Sequence, residues 1–487
     1  MSKRSELQRP RRGAFALVTL LAFWGCAVGP DFVPPKPPEA SGYTADRLPQ
    51  ATTVADGRVQ HFELGGAVPK DWWQLFNCPE LGPLIEQAVA ANPSLQAAQA
   101  SLRQSENLLR AGYAVFLPHV DAGASAARER NFSPSTNLPA TTFNLFTVTG
   151  TVGYVLDVFG GERRQVESLG AQADLQRYEA AATYLTLVGN LVNATIAEAG
   201  YTAQIETTSR LIATERDQVQ ITETQARAGT VPYVNVLTLQ TQLAAVEAQL
   251  PQLQQKRTQT RHLLATLLGQ EPAAWQSDHI QLAAIEVPRD LPVTLPSELV
   301  HQRPDILAAE AQLHSTSAQI GVATAAMFPQ ITLSGSYGSS STSTGDLFSG
   351  PAAVWSIGAG LAAPIFHGGA LWFQRRAAID NYEQSLATYR QTVLGGLAQV
   401  ADSLRALEHD ASQVEAQSRQ ETAAREAWRL TDVNYRTGVA DYLQVLVANV
   451  QYNQASIARI GGQAQRLQDT VALLVALGGG WREAREQ

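Results

Sequence analysis

The stretch Arg227-Ala-Gly-Thr-Val-Pro-Tyr-Val-Asn-Val-Leu237 decides the fold, because it ends one very long helical run and begins another. The residues from Gly161 to Gly229 contain no proline, and one helix of that length would extend roughly 100 Å at 1.5 Å per residue. The glycine and proline of the stretch are typical of a turn between helices, and a second helical run is predicted from Val234 to Leu268. We therefore predict a long helical hairpin.

The same turn occurs a second time in the chain. Arg436-Thr-Gly-Val-Ala-Asp-Tyr-Leu-Gln-Val-Leu446 repeats Arg, Gly, Tyr, Val and Leu at a constant offset of 209 residues, after a second proline-free run that begins past Pro364. Further motifs recur in the same order in both halves: Asn92-Pro93 with Arg303-Pro304, Leu117-Pro118 with Phe328-Pro329, and Leu268-Gly269 with Leu477-Gly478. The chain is therefore predicted to be an internal duplication.

Each half also contains segments whose side chains alternate with a period of two. The segments Phe146–Val158 and Trp355–Ile365 alternate apolar with small or polar residues, and shorter partners, Val120–Ala126 and Ile331–Tyr337, precede them. Polar, turn-rich residues 128–142 and 339–351 separate each pair. The alternation predicts four strands, each long enough to cross a bilayer when tilted.

Four strands are too few to close a transmembrane barrel, which needs at least eight to leave no open edge in lipid. The chain is therefore expected to assemble: a dimer would supply eight strands and a filled interior, and a trimer twelve and a lumen. Coiled-coil spacing of apolar residues in the helical runs supports assembly, although a soluble bundle would show the same spacing. The residues with this spacing are Leu243, Val246, Leu250 and Leu253, and Val393, Leu397, Val400, Leu404 and Leu407.

The N-terminus resembles an export signal. Five basic residues precede an apolar run, Ala14–Trp24, that is too short for a membrane span. Gly25-Cys26 resembles the processing site of a bacterial lipoprotein, in which Cys26 would carry an acyl chain such as palmitate; an ordinary cleavage beside an incidental cysteine is the alternative. The chain has a net charge of −8, which disfavours nucleic acid as a partner.

The sequence does not indicate an enzyme. Its eight histidines show no i, i+4 pair suited to zinc, and no Gly-x-Ser-x-Gly elbow occurs. Gly358-Ala-Gly360 mimics a dinucleotide fingerprint, but Pro364 interrupts the helix that would receive the pyrophosphate, and Asp380 falls in a helical run. We expect no catalytic residues, metal or cofactor.

The motifs together resemble the TolC-like family of outer-membrane factors, in the NodT/OprM-like lipoprotein branch that serves resistance–nodulation–division efflux pumps. The resemblance rests on the duplication, on the two Arg-x-Gly turns, and on Cys26-Ala-Val-Gly-Pro-Asp-Phe32, Asp71-Trp-Trp-Gln-Leu-Phe76 and Leu477-Gly-Gly-Gly-Trp481. It covers nearly the whole mature chain. It implies a mainly α fold with a transmembrane β part: a long α-helical coiled-coil barrel, and four strands per protomer that complete a twelve-stranded barrel in a homotrimer.

The resemblance also implies partners and sites. Outer-membrane lipids would surround the barrel, and a periplasmic adaptor and an inner-membrane pump would meet the far end. The residues that match the adaptor-docking tips are Arg227, Gly229, Thr230, Val231 and Pro232, and Arg436, Gly438, Val439, Ala440 and Asp441. The periplasmic aperture matches Gln444 and Val447, where family members often carry aspartates. Helix termination alone is the alternative role of the glycines, and a solvated turn residue that of Asp441.

The expected organisation follows from these elements. Residues 1–25 form the signal peptide, 26–70 a lipid-anchored extended segment, 71–270 the first repeat, 271–296 a linker, 297–480 the second repeat and 481–487 a tail. The expected function is a passive duct for small molecules. The same trimer serving type I protein secretion, and a non-conducting lipid-anchored coiled-coil scaffold, remain the alternatives.

Overall fold

The computed structural model of the chain describes residues 27–40, 42–46, 48–131, 140–275 and 280–481. The predicted signal peptide and Cys26 lie outside the described residues, as do residues 482–487 of the predicted tail. The described α-helices are α1 (Leu81–Ala91), α2 (Pro93–Gly112), α3 (Gly161–Arg227), α4 (Tyr233–Leu267), α5 (Pro296–Leu299), α6 (Pro304–Ala325), α7 (Ala370–Arg436) and α8 (Tyr442–Ala476). The strands are β1 (His61–Leu64), β2 (His119–Asn131), β3 (Thr141–Leu156), β4 (Asp290–Val293), β5 (Gln330–Ser341) and β6 (Ala353–Ala362).

The helix lengths confirm the duplication. Helices α3 and α7 each have 67 residues, and α4 and α8 each have 35. Helix α3 is continuous over the proline-free run from which the long helix was predicted. By length and composition α3 could also cross a membrane, but 61% of its most apolar window is buried within the protein, as in an ordinary core helix.

The break predicted at Asn92-Pro93 is confirmed. Helix α1 ends before Asn92, and α2 begins at Pro93, whose missing N–H is tolerated at the first helical position. The side chain of Asn92 caps α2 by accepting hydrogen bonds from the amides of Ser94 and Leu95, at 2.9 and 3.1 Å. The sequence therefore stops one helix and starts the next within two residues.

The four long strands form one antiparallel sheet in the order β2-β3-β5-β6. The two hairpins of the sheet were predicted, one in each repeat. The pairing of β3 with β5, in which Phe146 lies opposite Ser341 and Leu156 opposite Ile331, joins the two repeats in one sheet.

The predicted ends of these strands were wrong. Residues 128–142 were predicted as a turn, but β2 continues to Asn131 and β3 begins at Thr141, with Arg128 opposite Asn144. Likewise, β5 continues to Ser341. A backbone ladder does not require apolar side chains, so polarity alone does not mark a strand end. Strand β6 ends at Ala362 rather than at residue 365, because Pro364 has no N–H to donate.

The described chain divides into two units. One comprises residues up to 34, 102–175 and 309–389, and includes the four-stranded sheet; the other comprises residues 35–101, 176–308 and 390 onward. The second unit has a large apolar core in which Trp72 and Phe76, of the Asp71-Trp-Trp-Gln-Leu-Phe76 motif, are 1% and 0% exposed. The Trp-Trp motif is therefore a core element.

A second, two-stranded sheet in this unit was not predicted. Strand β1 pairs in parallel with β4, with His61 opposite Asp290 and Leu64 opposite Val293. Strand β1 lies in residues 26–70, which were expected to be a lipid-anchored extended segment, and β4 lies in the linker between the repeats. The extended segment and the linker are therefore joined by backbone hydrogen bonds.

Candidate functional site

The turn between α3 and α4, the first tip, is a tight helix terminus of the Schellman type. The amide of Gly229 donates to the carbonyl of Ala226 at 3.0 Å, and the amide of Thr230 donates to the carbonyl of Gln225 at 3.0 Å. Gly229 has φ +75°, a conformation that only glycine adopts without strain. Pro232 then occupies the N-cap of α4, so the chain reverses within five residues of Arg227.

The turn between α7 and α8, the second tip, has the same backbone geometry. Gly438 has φ +77° and donates to the carbonyl of Tyr435 at 3.0 Å, and Val439 donates to Asn434 at 2.8 Å. Asp441 replaces proline at the N-cap, and its carboxylate accepts from the amide of Leu443 at 3.4 Å. The structure therefore brings the predicted tip residues together in two equivalent turns.

Both tips are open to solvent. A Cβ added to Gly229 or to Gly438 would meet no atom within 4 Å, and Val439 is 79% exposed. Arg436 pairs with Asp432 of its own helix at 2.9 Å. The tips thus present backbone, short side chains and the arginines Arg227 and Arg436 to the outside of this chain.

The predicted aperture residues lie one turn apart on α8. Gln444 and Val447 are both exposed, whereas their neighbours Val445 and Leu446 are buried, with exposed fractions of 4% and 2%. At the start of the same helix, burial raises the pKa of Tyr442 to about 12, and Tyr435 and the carboxylates of Asp217 and Asp432 raise it further. The exposed stripe of α8 next to the second tip is uncharged.

The four-stranded sheet has one apolar face, and the register shows it across all four strands. One rung of this face consists of Val120, Val152, Gly335 and Ile357, and the next of Ala122, Gly150, Tyr337 and Trp355. Val120, Tyr337, Trp355 and Ile357 are between 70% and 84% exposed. Large exposed apolar surfaces indicate contact with lipid or protein.

The opposite face of the sheet is small and polar. Its rungs include Asp121, Thr151, Ser336 and Ser356, and the hydroxyls of Ser336 and Ser356 lie 2.8 Å apart. A sheet with one apolar and one hydroxyl-rich face can separate lipid from water.

The first described residues, Ala27 to Phe32, belong to the unit that contains this sheet and pack against its helix α3 and the loop before it. The amide of Val28 donates to the carbonyl of Phe159 at 3.0 Å, and Asp31 pairs with the buried guanidinium of Arg164 at 2.6 Å. A Cβ on Gly160 would lie 2.5 Å from the Cα of Ala27, so only glycine admits this approach. The residue after Cys26 is therefore held beside the loop that follows β3.

No group of three or more histidine, cysteine, aspartate or glutamate side chains within the described ranges is arranged to hold a metal ion. The larger cavities of those ranges include one of about 640 Å³, lined by residues after β3 and before α7 such as Phe159 and His367.

A model of the outer membrane efflux protein family matches residues 84–270 and 295–479, nearly all of both repeats. The chain belongs to the outer membrane efflux protein family. This membership agrees with the TolC-like resemblance and places the protein in the outer membrane as a channel component of an efflux system. The proteins it resembles are channels rather than enzymes.

Individual relatives cover most of the chain. It is 30% identical over 423 residues to the pyoverdine export outer membrane protein OpmQ of Pseudomonas aeruginosa, covering 86% of this chain and 89% of the relative. It is also 30% identical over 482 residues to the probable efflux pump outer membrane protein TtgC of Pseudomonas putida, covering 96% of each. The solved outer-membrane channel OprN superposes with a TM-score of 0.83 at 29% identity, over 94% of this chain and all of that one.

Sequence reasoning predicted the two turns and the four long strands, but it did not point to a segment that contacts the second hairpin. Residues 50–60, which we call the strap, lie across the second hairpin (α7 and α8), where Asp56 pairs with Arg459 at 3.1 Å. The only sequence signal for this contact was the Asp56-Gly57 turn, because the two partners lie far apart in the chain.

Proposed function

We propose that three copies of the chain form a passive duct through the outer membrane, with their sheets joined edge to edge in one twelve-stranded barrel. The proposal is supported by the strand order, in which β2 and β6 are the outer strands of the described sheet. Because four antiparallel strands alternate in direction, β6 of one copy would meet β2 of the next antiparallel, and the ring could close. A closed ring leaves no free edge in lipid.

Strand length and face chemistry support the same assembly. The strands have between 10 and 16 residues, and a transmembrane strand needs about 9–11. With the apolar face toward lipid, the hydroxyl-rich face lines the lumen. Twelve strands leave a lumen, whereas the eight strands of a dimer would be filled by side chains. A trimer therefore suits a duct for small molecules.

Cysteine cross-linking tests the edge pairing directly. In a Cys78→Ser background, we expect Ala124→Cys on β2 and a cysteine scanned from Val354 to Gly358 on β6 to give covalent trimers at one register. The matched control pairs Ala124→Cys with Ser339→Cys on β5, which is an inner strand and should give none. Purified protein should have the mass of a trimer and should conduct in a planar bilayer. A monomer, or a trimer without current, would overturn the proposal.

We propose in addition that the two tips dock a periplasmic adaptor and that an inner-membrane pump of the resistance–nodulation–division type supplies the energy. The support is the resemblance of the two turns, together with their open surroundings and identical backbones. Gln444 and Val447 would line the periplasmic aperture. Since neither carries a charge, we expect no carboxylate ring there, and a Gln444→Asp channel should be more selective for cations than the wild type in bilayer recordings.

The N-terminal segment supports a lipid anchor at Cys26. Its neighbour Ala27 is held against Gly160 beside the end of β3, the position that an acyl chain in the same membrane would require. We expect Cys26→Ser to lose the mass of the acyl chain but to remain in the outer-membrane fraction, because the strands themselves insert. An unchanged mass would argue against acylation.

A further inference from the structure

The strap is fixed to both helices of the second hairpin. Ala55 is fully buried against Ala411 and Val414 of α7. Gln60, also fully buried, accepts a hydrogen bond from Arg466 of α8 at 2.8 Å and donates to Thr470 at 3.1 Å. The strap is therefore held against both helices by buried contacts.

At its turn the strap holds a carboxylate in an unusual backbone conformation. Asp56 has φ +51°, a backbone conformation that residues other than glycine, asparagine and aspartate rarely adopt. One carboxylate oxygen pairs with Nε of Arg459 at 3.1 Å, and the other accepts from Gln463 at 2.6 Å. Strained backbone conformations are found most often at functional positions, and here the strained residue carries the charge that pairs with Arg459.

Arg459 also contacts α7, at the interface between the two helices of the hairpin, which we call the seam. It pairs with Glu421 of α7 at 2.6 Å, and Glu421 is only 5% exposed. Glu421 also pairs with Arg425 at 3.2 Å, and the guanidinium of Arg425 lies 5.5 Å from the ring of Tyr452, which stacks on Trp428. Burial lowers the pKa of Arg459, but Glu421 and Asp56 outweigh it and leave the pKa raised. A chain of charges and rings thus runs from the strap toward the second tip.

The first hairpin (α3 and α4) keeps an arginine, Arg216, at the position of Arg425 but carries aliphatic residues at three of the other equivalent positions. At the offset of 209 residues, Ile212 replaces Glu421, Leu250 replaces Arg459 and Leu243 replaces Tyr452. There Leu211, Ile212 and Val246 form an apolar cluster, with Leu243 and Leu250 packed against it. A buried ion pair adds little or no stability over an apolar pair of similar size, so stability does not explain the change.

We propose that Asp56, Arg459 and Glu421 are positioning residues, which tie the strap to the second hairpin and so set where the second tip stands. This inference rests on the proposed function, in which the position of the tips governs passage. The ion pair between Asp56 and Arg459, which we call the tie, is partly exposed: the side chain of Asp56 is 20% exposed and that of Arg459 is 30% exposed. It is therefore sensitive to salt, whereas the aliphatic seam of the first hairpin is not.

The test begins with Asp56→Asn in the full-length protein. Asparagine tolerates the same backbone conformation, so the substitution removes the charge and leaves the turn. We expect amide exchange in residues 442–459 to become about two- to fivefold faster, the factor expected for loss of one partly exposed ion pair. Exchange in residues 234–250 of the first hairpin should not change, and the single-channel conductance should differ from that of the wild type. High salt should reduce both differences.

A second variant separates positioning from stability. The double substitution Glu421→Ile with Arg459→Leu copies the first hairpin, and we expect it to unfold at or above the wild-type temperature but to conduct like Asp56→Asn. Adding Asp56→Asn to it should change nothing further, because the tie is already cut. Glu247→Gln, which breaks the exposed Arg216–Glu247 pair of the first hairpin, is the matched control and should conduct like the wild type.

The outcomes distinguish the inference from the function on which it rests. If the wild type conducts and both Asp56→Asn and the double variant match it in exchange and conductance, the tie has no positioning role. If the wild type is silent, the duct itself is refuted, while the exchange measurement still tests the tie. Altered conductance in Glu247→Gln would also overturn the inference, because any lost ion pair would then have the same effect.

Discussion

The two hairpin tips share one backbone and differ in the side chains that support it. Gly229 and Gly438 have φ +75° and +77° and close the same pair of hydrogen bonds. Behind the first tip the helices meet through a buried aliphatic cluster and the exposed Arg216–Glu247 pair; behind the second they meet through Tyr435 and Tyr442, whose rings lie 4.9 Å apart, and through the partly buried charges of Glu421 and Arg459. The duplication has therefore kept the turn, which fixes the geometry, and has let the packing chemistry diverge.

The largest expected effect is at the shared turn. Gly438→Pro cannot adopt φ +77° and loses the hydrogen bond to Tyr435, so the tip should be disrupted by about 3 kcal/mol or more. Because the substitution lies outside all four long strands, trimers should still form. We expect dye efflux to be lost in a host whose own adaptor and pump lack an outer-membrane channel, and Gly229→Pro should behave in the same way.

Gly438→Asn provides the control for this substitution, since asparagine tolerates a left-handed conformation. It should retain most of the efflux. Full efflux with Gly438→Pro would show that the turn geometry is dispensable, and the tip assignment would then fail.

The next effect separates the two hairpins. Leu211 is 2% exposed in the apolar seam of the first hairpin, and Leu211→Ala should cost about 2–5 kcal/mol through lost burial and a cavity. Its equivalent in the second hairpin is Gln420, which is exposed, and Gln420→Ala should cost less than about 0.5 kcal/mol. Thermal unfolding followed by helical circular dichroism at fixed protein concentration measures both. Equal shifts would mean that the two seams do not differ as the packing indicates.

Local features of the structure could be predicted from the sequence, whereas contacts between distant residues could not. Strict alternation and a repeated turn are local signals, so they predicted the strands and the tips. The parallel pairing of His61 with Asp290, and the Asp56–Arg459 pair, join residues hundreds of positions apart. Nothing in a single sequence ranks such partners, because each is one polar residue among many until the chain is folded. The register of β3 with β5 was unpredictable for the same reason.

The aperture illustrates a third case. Gln444 and Val447 were named through a family resemblance, and the structure leaves both exposed on one turn of α8. Periodicity alone would not have singled them out, because exposed uncharged residues are common on helices. Lining a lumen is a property of the assembly, so one chain supplies the exposure of these residues but not their role.

A pH effect is expected from the first hairpin. Glu215 is 4% exposed, and burial, with a smaller contribution from Glu247, raises its pKa to about 7; the equivalent residue in the second hairpin is Ala424. Because the folded pKa lies above the ordinary value of 4.5, the native state binds the extra proton, and the contribution of Glu215 to stability should fall as pH rises from about 4.5 to about 7.

Glu215→Gln should therefore flatten the pH dependence of the unfolding temperature over that window. The second hairpin contributes a similar slope, since burial and a hydrogen bond with Asp469 raise the pKa of Asp410 to about 7 against the opposing charge of Arg466. Asp410→Asn should remove that share independently. A pH dependence that is unchanged in Glu215→Gln, or in Asp410→Asn, would contradict the assignment of that residue.

The smallest expected effect concerns the caps that follow the two glycines. Asp441 caps α8 through the amide of Leu443, whereas Pro232 makes no side-chain cap on α4. Since the hydrogen bond is long, at 3.4 Å, Asp441→Ala should cost about 0.5 kcal/mol, the low end of the range for N-caps. Asp441→Asn keeps the acceptor and should match the wild type in thermal unfolding. If both variants lose the same stability, the charge of Asp441 rather than its cap stabilises the helix, and the two tips differ electrostatically as well as in packing.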